Sequence, residues 1–379
     1  MDSKKALLIT TVSGFVPQFE SNSVELLHEG GYEVHYASNF NNVFYGTDNS
    51  RIREMGIIPH QIDFERSPLS KATLLAYKQL EKLLSEVHFS VVHCHTPVGG
   101  ALGRLVAAHH DVEVIIYTVH GFHFYNGAPL VNSLVYKNAE RMLAKYADAI
   151  ITINSEDYCN ARHFHLRNCG KVYRIPGIGV DTKRFAFNCD RQTIHETLGI
   201  RDDDFVLLSV GELNNNKNHQ VIIRALERCD CSQIRYLICG EGTEQERLQQ
   251  LVREKQLSDV VRFMGYRSDV ASIYNAADLF VFPSHREGLS VSLMEAMAAG
   301  LPVLASRIRG NVDLIKDGVN GMLYSPDDVD GWARGITIMR EQPVLRSRMA
   351  EENVKSSQAL DKRVLKDMLR EVYSEQGVL

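Results

Sequence analysis

The chain has 379 residues, 44% of them hydrophobic and 23% charged, and a net charge of −5. It is long enough for two or three domains with full cores, and its composition is that of an ordinary globular protein. The acidic balance argues against general nucleic-acid binding, and no apolar stretch approaches the roughly 18 residues that span a bilayer.

Residues 6–10 are predicted as a first strand. A basic pair precedes them, but the apolar run is too short for a signal peptide and lacks a cleavage-like end. Ser21–Glu29 reads as a helix closed by Gly30-Gly31, and residues 33–37 as the next strand. Leu74, Leu75, Leu80, Leu83 and Leu84 recur at three and four, which predicts a helix over residues 74–84. Residues 91–94, Val114–Val119 and residues 149–153 are further strands with helices between them. That alternation implies a parallel doubly wound sheet over residues 1–175. Gly and Pro crowd residues 174–185, where no period survives, so residues 176–200 read as an interdomain linker. A second α/β series begins at Phe205–Val210 and occupies residues 201–356. Its runs FVLLSV, RYLIC and LFVF are near-continuous, as expected of strands covered on both faces. Residues 329–378 read as helical. The fold class is α/β, with two Rossmann-like doubly wound domains. The seven cysteines are odd in number and scattered, with no CxxC pair, which points to free thiols in a reducing, cytoplasmic setting.

Residues 278–306, DLFVFPSHREGLSVSLMEAMAAGLPVLAS, read as strand, polar loop, helix and strand, with Gly300 and Pro302 as the helix stop signals. Glu295 is the only charge in that helix, so its carboxylate is expected to be partly buried and therefore paired or liganded. Two readings stand side by side. One is a structural ion pair with Arg307 or Arg309. The other is a bond to a ligand hydroxyl, with Glu287 holding a second hydroxyl and the helix N-terminus facing a phosphate.

Glu287 and Glu295 stand in an E-x7-E arrangement, and EGLSVSLMEAMAAGLPVLAS resembles over its whole length the donor-site signature of retaining glycosyltransferases of family 4, which have the GT-B fold. The resemblance implies two Rossmann-like domains facing across a cleft, with a final helix of about residues 357–379 crossing back onto the first. It implies transfer of a hexose or N-acetylhexosamine from a UDP-sugar, with retention. Glu287 would contact hydroxyls of the transferred sugar and Glu295 the ribose, with Leu289, Ser290 and Val291 along the nucleotide between them. Ser290 stands where the family often has Gly, so its side chain would either crowd the diphosphate or donate a hydroxyl to it.

Lys217, in the loop after Phe205–Val210, matches a Lys that the family sets against the donor diphosphate; a merely solvated polar loop is the other reading. Glu212 stands where the family usually has Arg, so half of the charge clamp is missing. Residues 263–266, FMGY, resemble the segment beside the nucleobase and bring Met264 to the donor. The T-V-H-G pattern implies that His120 lies beside the reacting sugar. Ser13-Gly14 resembles a glycine loop that lets backbone approach the donor phosphate. RIPGIGVD resembles the family's interdomain stretch. Its two glycines are similar to the form found in a subgroup of bacterial exopolysaccharide and lipid-linked glycan assembly. That subgroup implies a polyprenyl-diphosphate-linked acceptor and peripheral contact with the inner face of the plasma membrane.

His93, His95, His120 and His123 sit at two strand ends and invite a zinc reading. No Cys or carboxylate closes the set at a recognisable spacing, so no metal and no cofactor besides the sugar donor is expected. Gly240-Glu241-Gly242-Thr243 is a lone GxG, with Thr243 and Glu246 forming a T-x-x-E capping box. No GxGxxG followed by an acidic residue supports a nicotinamide-dependent oxidoreductase. The Glu212 departure keeps open a catalytically silent nucleotide-sugar-binding subunit that needs a partner chain.

Overall fold

The computed structural model describes residues 4–41, 49–67, 70–186 and 191–379; Cys189 and part of the expected linker lie outside them. The chain divides into two compact units, Met1–Ile178 with Arg363–Leu379, and Gly179–Lys362. Strands of the first unit are β1 (Lys5–Ile9), β2 (Glu33–Ser38), β3 (Ile58–Gln61), β4 (Val91–His95), β5 (Val114–Val119), β6 (Ala149–Thr152) and β7 (Lys171–Arg174). They form one parallel sheet in the order β3-β2-β1-β4-β5-β6-β7. The second unit holds β8 (Phe205–Val210), β9 (Ile234–Cys239), β10 (Val261–Gly265), β11 (Leu279–Phe282), β12 (Val303–Ser306) and β13 (Gly321–Tyr324). Their order is β10-β9-β8-β11-β12-β13, also parallel.

Helices cover both faces of each sheet, so successive side chains of a central strand enter opposite cores. Leu7 and Ile9 pack into one core of the first unit, Ala6 and Leu8 into the other. Val206 and Leu208 are separated from Phe205 and Leu207 in the same way in the second unit. Central strands are therefore apolar without interruption. The four edge strands, β3, β7, β10 and β13, carry no such run and are not among the predicted strands. They pair on one side only and are partly exposed, and Pro59 sits in β3 where a missing N–H costs least.

The described residues after Gly179 in the expected linker are part of the second unit. Thr182–Phe185 and Arg191–Leu198 are helices, and His195 Nε2 lies 2.9 Å from the Ala276 carbonyl oxygen. The chain enters and leaves this unit side by side: Val180 N donates to Leu360 O (3.0 Å) and Lys362 N to Val180 O (2.9 Å). Gly179 has φ +75°, and a Cβ there would stand 2.7 Å from Lys362 Cα, so the second glycine of Gly177-Ile178-Gly179 is a steric requirement. Beyond the crossing, helix Lys362–Glu375 buries Leu365, Leu369, Val372 and Tyr373 in a core of the first unit.

The T-x-x-E capping box does not form. Helix Gln245–Glu254 starts after Glu244, without a side-chain cap, because Glu244 N donates to Leu213 O (2.9 Å) and that tertiary bond sets its start. No helix of the described residues is long and apolar enough to cross a membrane, and the six described cysteines are free thiols.

Candidate functional site

In the six-stranded sheet the order reverses between β8 and β11, and loops at the carboxyl ends of two such strands leave a crevice where open α/β sheets bind ligands. Here these loops are residues 211–218 and 283–290, and hydrogen bonds stitch them together. His285 N donates to Asn216 O (2.8 Å), Asn216 Nδ2 to Arg286 O (2.8 Å) and Asn218 Nδ2 to Pro283 O (3.2 Å). The Asn214 side chain accepts from Lys217 N at 3.0 Å. The stitching brings Lys217 Nζ to 2.8 Å from Glu287 Oε1 and 4.8 Å from the Phe282 ring centroid. The two residues singled out from separate motifs are thus in direct contact. The loop after β12 adds a third partner: Arg309, largely buried, donates from Nε to Glu287 O at 3.2 Å. Gly310 (φ +81°) permits that approach, since a Cβ there would stand 2.4 Å from Gly288 O. Glu212, by contrast, is exposed.

Ser290 is buried and is the N-cap of helix Val291–Ala298, its Oγ accepting from Leu293 N (3.4 Å). The serine in place of glycine therefore starts the helix, and its hydroxyl proton remains available to Ser292 Oγ, 3.1 Å away, or to a ligand. Leu289, Val291 and Met264 are partly buried against the same core.

Glu295 is not in an arginine ion pair. Arg307 pairs with Asp317, and Arg309 is turned to the Glu287 backbone. The partner of Glu295 is Tyr274, whose hydroxyl lies 3.1 Å from Oε2 but also 2.9 Å from Ser292 O, one proton facing two acceptors. Burial pushes the Glu295 carboxyl up to about 7, against the bond from Tyr274 and the charge of Arg184. A partly buried carboxyl group with lone pairs to spare is suited to hydroxyl donors from a ligand.

The first sheet reverses between β1 and β4. Thr96, at φ 62° after β4, ties the two strand ends together, its Oγ1 accepting from Thr11 N at 3.0 Å. Gly14 is buried at the start of helix Phe15–Phe19 with φ −72°, a conformation open to any residue. Phe15 beside it stands edge-on to His120, 4.8 Å between centroids. His120, after β5, lies with Nε2 3.3 Å from His95 Nδ1 and 3.3 Å from Glu20 Oε1, and Glu20 Oε1 is also 3.3 Å from His95 Nδ1. His93 is occupied elsewhere, within 2.8 Å of Tyr373 Oη and of Thr118 Oγ1. Glu20 is the carboxylate whose absence argued against a metal, and its ligand atom and those of both histidines lie within 4.8 Å of one another. Only folding reveals it: Glu20 precedes Ser21–Glu29 and reads as an ordinary helix-end residue. Burial opposes its charge, but the facing imidazoles of His95 and His120 outweigh that and draw it down to about 2. Burial holds His95 down at about 4, so at neutral pH a carboxylate faces a neutral imidazole.

The chain matches two family descriptions, Glycosyl transferase 4-like over residues 5–154 and Glycosyl transferases group 1 over residues 190–356. EpsD of Bacillus subtilis, itself described only provisionally as a glycosyltransferase, is 35% identical over 378 residues, 98% of this chain and 97% of that one. The chain belongs to the group 1, GT4-like glycosyltransferases. An Escherichia coli relative of this glycosyltransferase, UDP-Gal:alpha-D-GlcNAc-diphosphoundecaprenol alpha-1,3-galactosyltransferase, is 29% identical over 307 residues, 79% of each chain. Among solved structures, HepE of Anabaena in complex with UDP-glucose superposes with a TM-score of 0.79 at 19% identity, over 98% of this chain and 99% of that one. WaaG, a glycosyltransferase involved in lipopolysaccharide biosynthesis, gives 0.74 at 17% identity, over 97% and 98%. The glycosyltransferase has the GT-B fold.

Proposed function

We propose that this glycosyltransferase moves a hexose or N-acetylhexosamine from a UDP-sugar to a glycan acceptor carried on a polyprenyl diphosphate, with retention, at a cytoplasmic membrane face. The observation that carries the reading is the contact of Lys217 with Glu287 at the switch point of the second sheet, one helix away from the under-satisfied carboxylate of Glu295. The UDP-glucose complex of HepE and the lipid diphosphate in the name of the Escherichia coli relative support the donor and acceptor classes.

In this reading Glu295 accepts from the ribose hydroxyls and Glu287 from the sugar. Lys217, with the N-terminus of helix Val291–Ala298, stabilises charge on the departing diphosphate. Leu289, Ser290, Val291, Met264 and Gly14 line the donor, and His120 serves the transferred sugar. Arg309 supplies positive charge to the Glu287 loop where Glu212 does not. Transfer proceeds without a metal ion. His95 uses Nδ1 toward Glu20 and leaves its buried Nε2 without a hydrogen-bond partner, whereas a metal-ligating imidazole is held by a bond to its other nitrogen.

The deciding experiment is a panel of UDP- and GDP-sugars scored for nucleotide release and thermal stabilisation, with NMR of the anomeric centre of the product. Inversion, or a preference for GDP-sugars, would overturn the reading. The exposed Glu212 favours one rival, a silent binding subunit, and turnover by the purified single chain dismisses it.

A further inference from the structure

Glu20 is a charged group with which no lysine or arginine of the described residues pairs. It stands at the junction of helices Phe15–Phe19 and Ser21–Glu29, where its N–H donates to Val16 O (2.9 Å) and its carbonyl accepts from Val24 N (3.1 Å). The side chain is buried and ionised at neutral pH, so both carboxylate oxygens call for donors. Ser23 Oγ donates to Oε2 at 2.6 Å. Oε1 is left to His95 Nδ1 and His120 Nε2, each 3.3 Å away. A carboxylate oxygen only accepts, so each of these nitrogens meets it by carrying a proton. His95 is closed in, its ring 4.2 Å from that of His93 between centroids. The His120 side chain is 22% exposed with Phe15 edge-on to it, and its Nδ1 has no hydrogen-bond partner among the described residues.

We propose that Glu20 is a positioning residue that fixes the single proton of the neutral His120 ring on Nε2, and so leaves the Nδ1 lone pair for a hydroxyl of the transferred sugar. Which nitrogen of a histidine carries the proton is decided by the bond the ring already makes, and here that bond is to an anion. The other tautomer would set a lone pair of His120 against one of the carboxylate inside a buried site, where nothing compensates it. Glu20 therefore acts through His120 and needs no contact with the sugar. The consequence for specificity is that the sugar has to offer a hydroxyl proton at that place, because a deoxy position leaves Nδ1 unpaired. The inference rests on the reading that His120 serves the transferred sugar, but the tautomer is read without donor or acceptor, so the two can fail separately.

The test is NMR of the full chain with isotope-labelled histidine, at a pH where the ring is neutral, with the His120 signals assigned by their loss in His120→Ala. An Nε2-protonated His120 is expected. In Glu20→Gln the Ser23 hydroxyl donates to the amide oxygen, which turns the amide NH2 toward the imidazoles and favours the Nδ1-protonated ring. Transfer by that variant should fall by roughly tenfold or more in kcat, and in a His120→Ala background the same change should cost nothing further. One of a panel of monodeoxy UDP-sugars should be transferred alike by the parent and by His120→Ala. A parent ring protonated on Nδ1, or a Glu20→Gln ring still protonated on Nε2, overturns the proposal. So do losses from the two substitutions that multiply, which would make Glu20 a support for the helix junction alone. An Nε2 proton missing from the purified chain and regained on chelation overturns it in favour of a bound metal ion. Undiminished transfer by His120→Ala, with the expected tautomer in place, would overturn the role of the ring toward the sugar.

Discussion

Lys217 and Glu287 hold each other at 2.8 Å, so a diphosphate arriving at Lys217 has to displace or share that carboxylate. In the proposed reading Glu287→Ala removes an acceptor for the sugar, and it frees the lysine at the same time. Transfer efficiency should fall by roughly tenfold to over a hundredfold, the range of a hydrogen bond to a charged group, while UDP affinity in calorimetry stays level or rises. A parallel loss of UDP binding would make Glu287 a scaffold for the loop. Glu295 carries a pH signature. Its carboxyl stands at about 7 in the folded chain against an ordinary 4.5. Below pH 4.5 it is protonated folded or unfolded and costs nothing. As pH rises from 4.5 to 7 the unfolded chain releases the proton first and stability is lost, by up to about 3 kcal/mol. Glu295→Gln should therefore match the parent at pH 4 and be the more stable at pH 8 in denaturant titrations. It should bind UDP more weakly at pH 8, with the difference narrowing below pH 7 as the parent protonates. A variant less stable than the parent at pH 8 would mean that Glu295 has a cationic partner. For Glu20, His95 and His120, dialysis against a chelator should leave transfer unchanged. Loss of activity, restored by zinc or manganese and absent in Glu20→Gln, would make the three a metal site.

Elements differ in how plainly they announce themselves, and burial is the cause. FVLLSV and VVHCH are central strands covered on both faces, whereas the outer IPHQ and KVYR leave side chains in water and need no apolar run. Helix Leu130–Leu143 shows the converse: its periodicity is clear, but period alone does not say which face turns inward, and here the apolar one turns out. Helix Lys362–Glu375 turns its apolar face in. Leu365 is almost wholly buried, so Leu365→Ala should cost about 2–5 kcal/mol, the range for a large-to-small change in a core. The loss belongs to the first unit. Hydrogen exchange should speed up in β1 and β2, with β8 and β9 unaffected, and uniform acceleration across both sheets would contradict the division of the cores.

At the level of the whole molecule, each sheet has its own pair of cores and its own order reversal, and Lys217, Glu287 and Glu295, the residues proposed to hold the nucleotide and the sugar, belong to the second unit. Saturating UDP should therefore slow amide exchange in residues 211–218 and 283–298. Protection confined to β1, β4 and β5 would remove Lys217 and Glu295 from the nucleotide. The linear order of residues was enough for the α/β class, the central strands and the E-x7-E pair, because those features rest on local period and on spacing within one strand–loop–helix turn. It was also enough to single out Lys217 and His120. It was silent on the Lys217–Glu287 contact, on Tyr274 as the partner of Glu295, and on the closing of Glu20 onto His95 and His120. The first and the last join residues far apart in the chain, brought together where strand ends converge on a switch point, and Tyr274 meets Glu295 between the helices on either side of β11. Hydrogen bonds and burial of that kind depend on which strands become neighbours, and strand order is set by packing two sheets' worth of helices, not by any local run of residues.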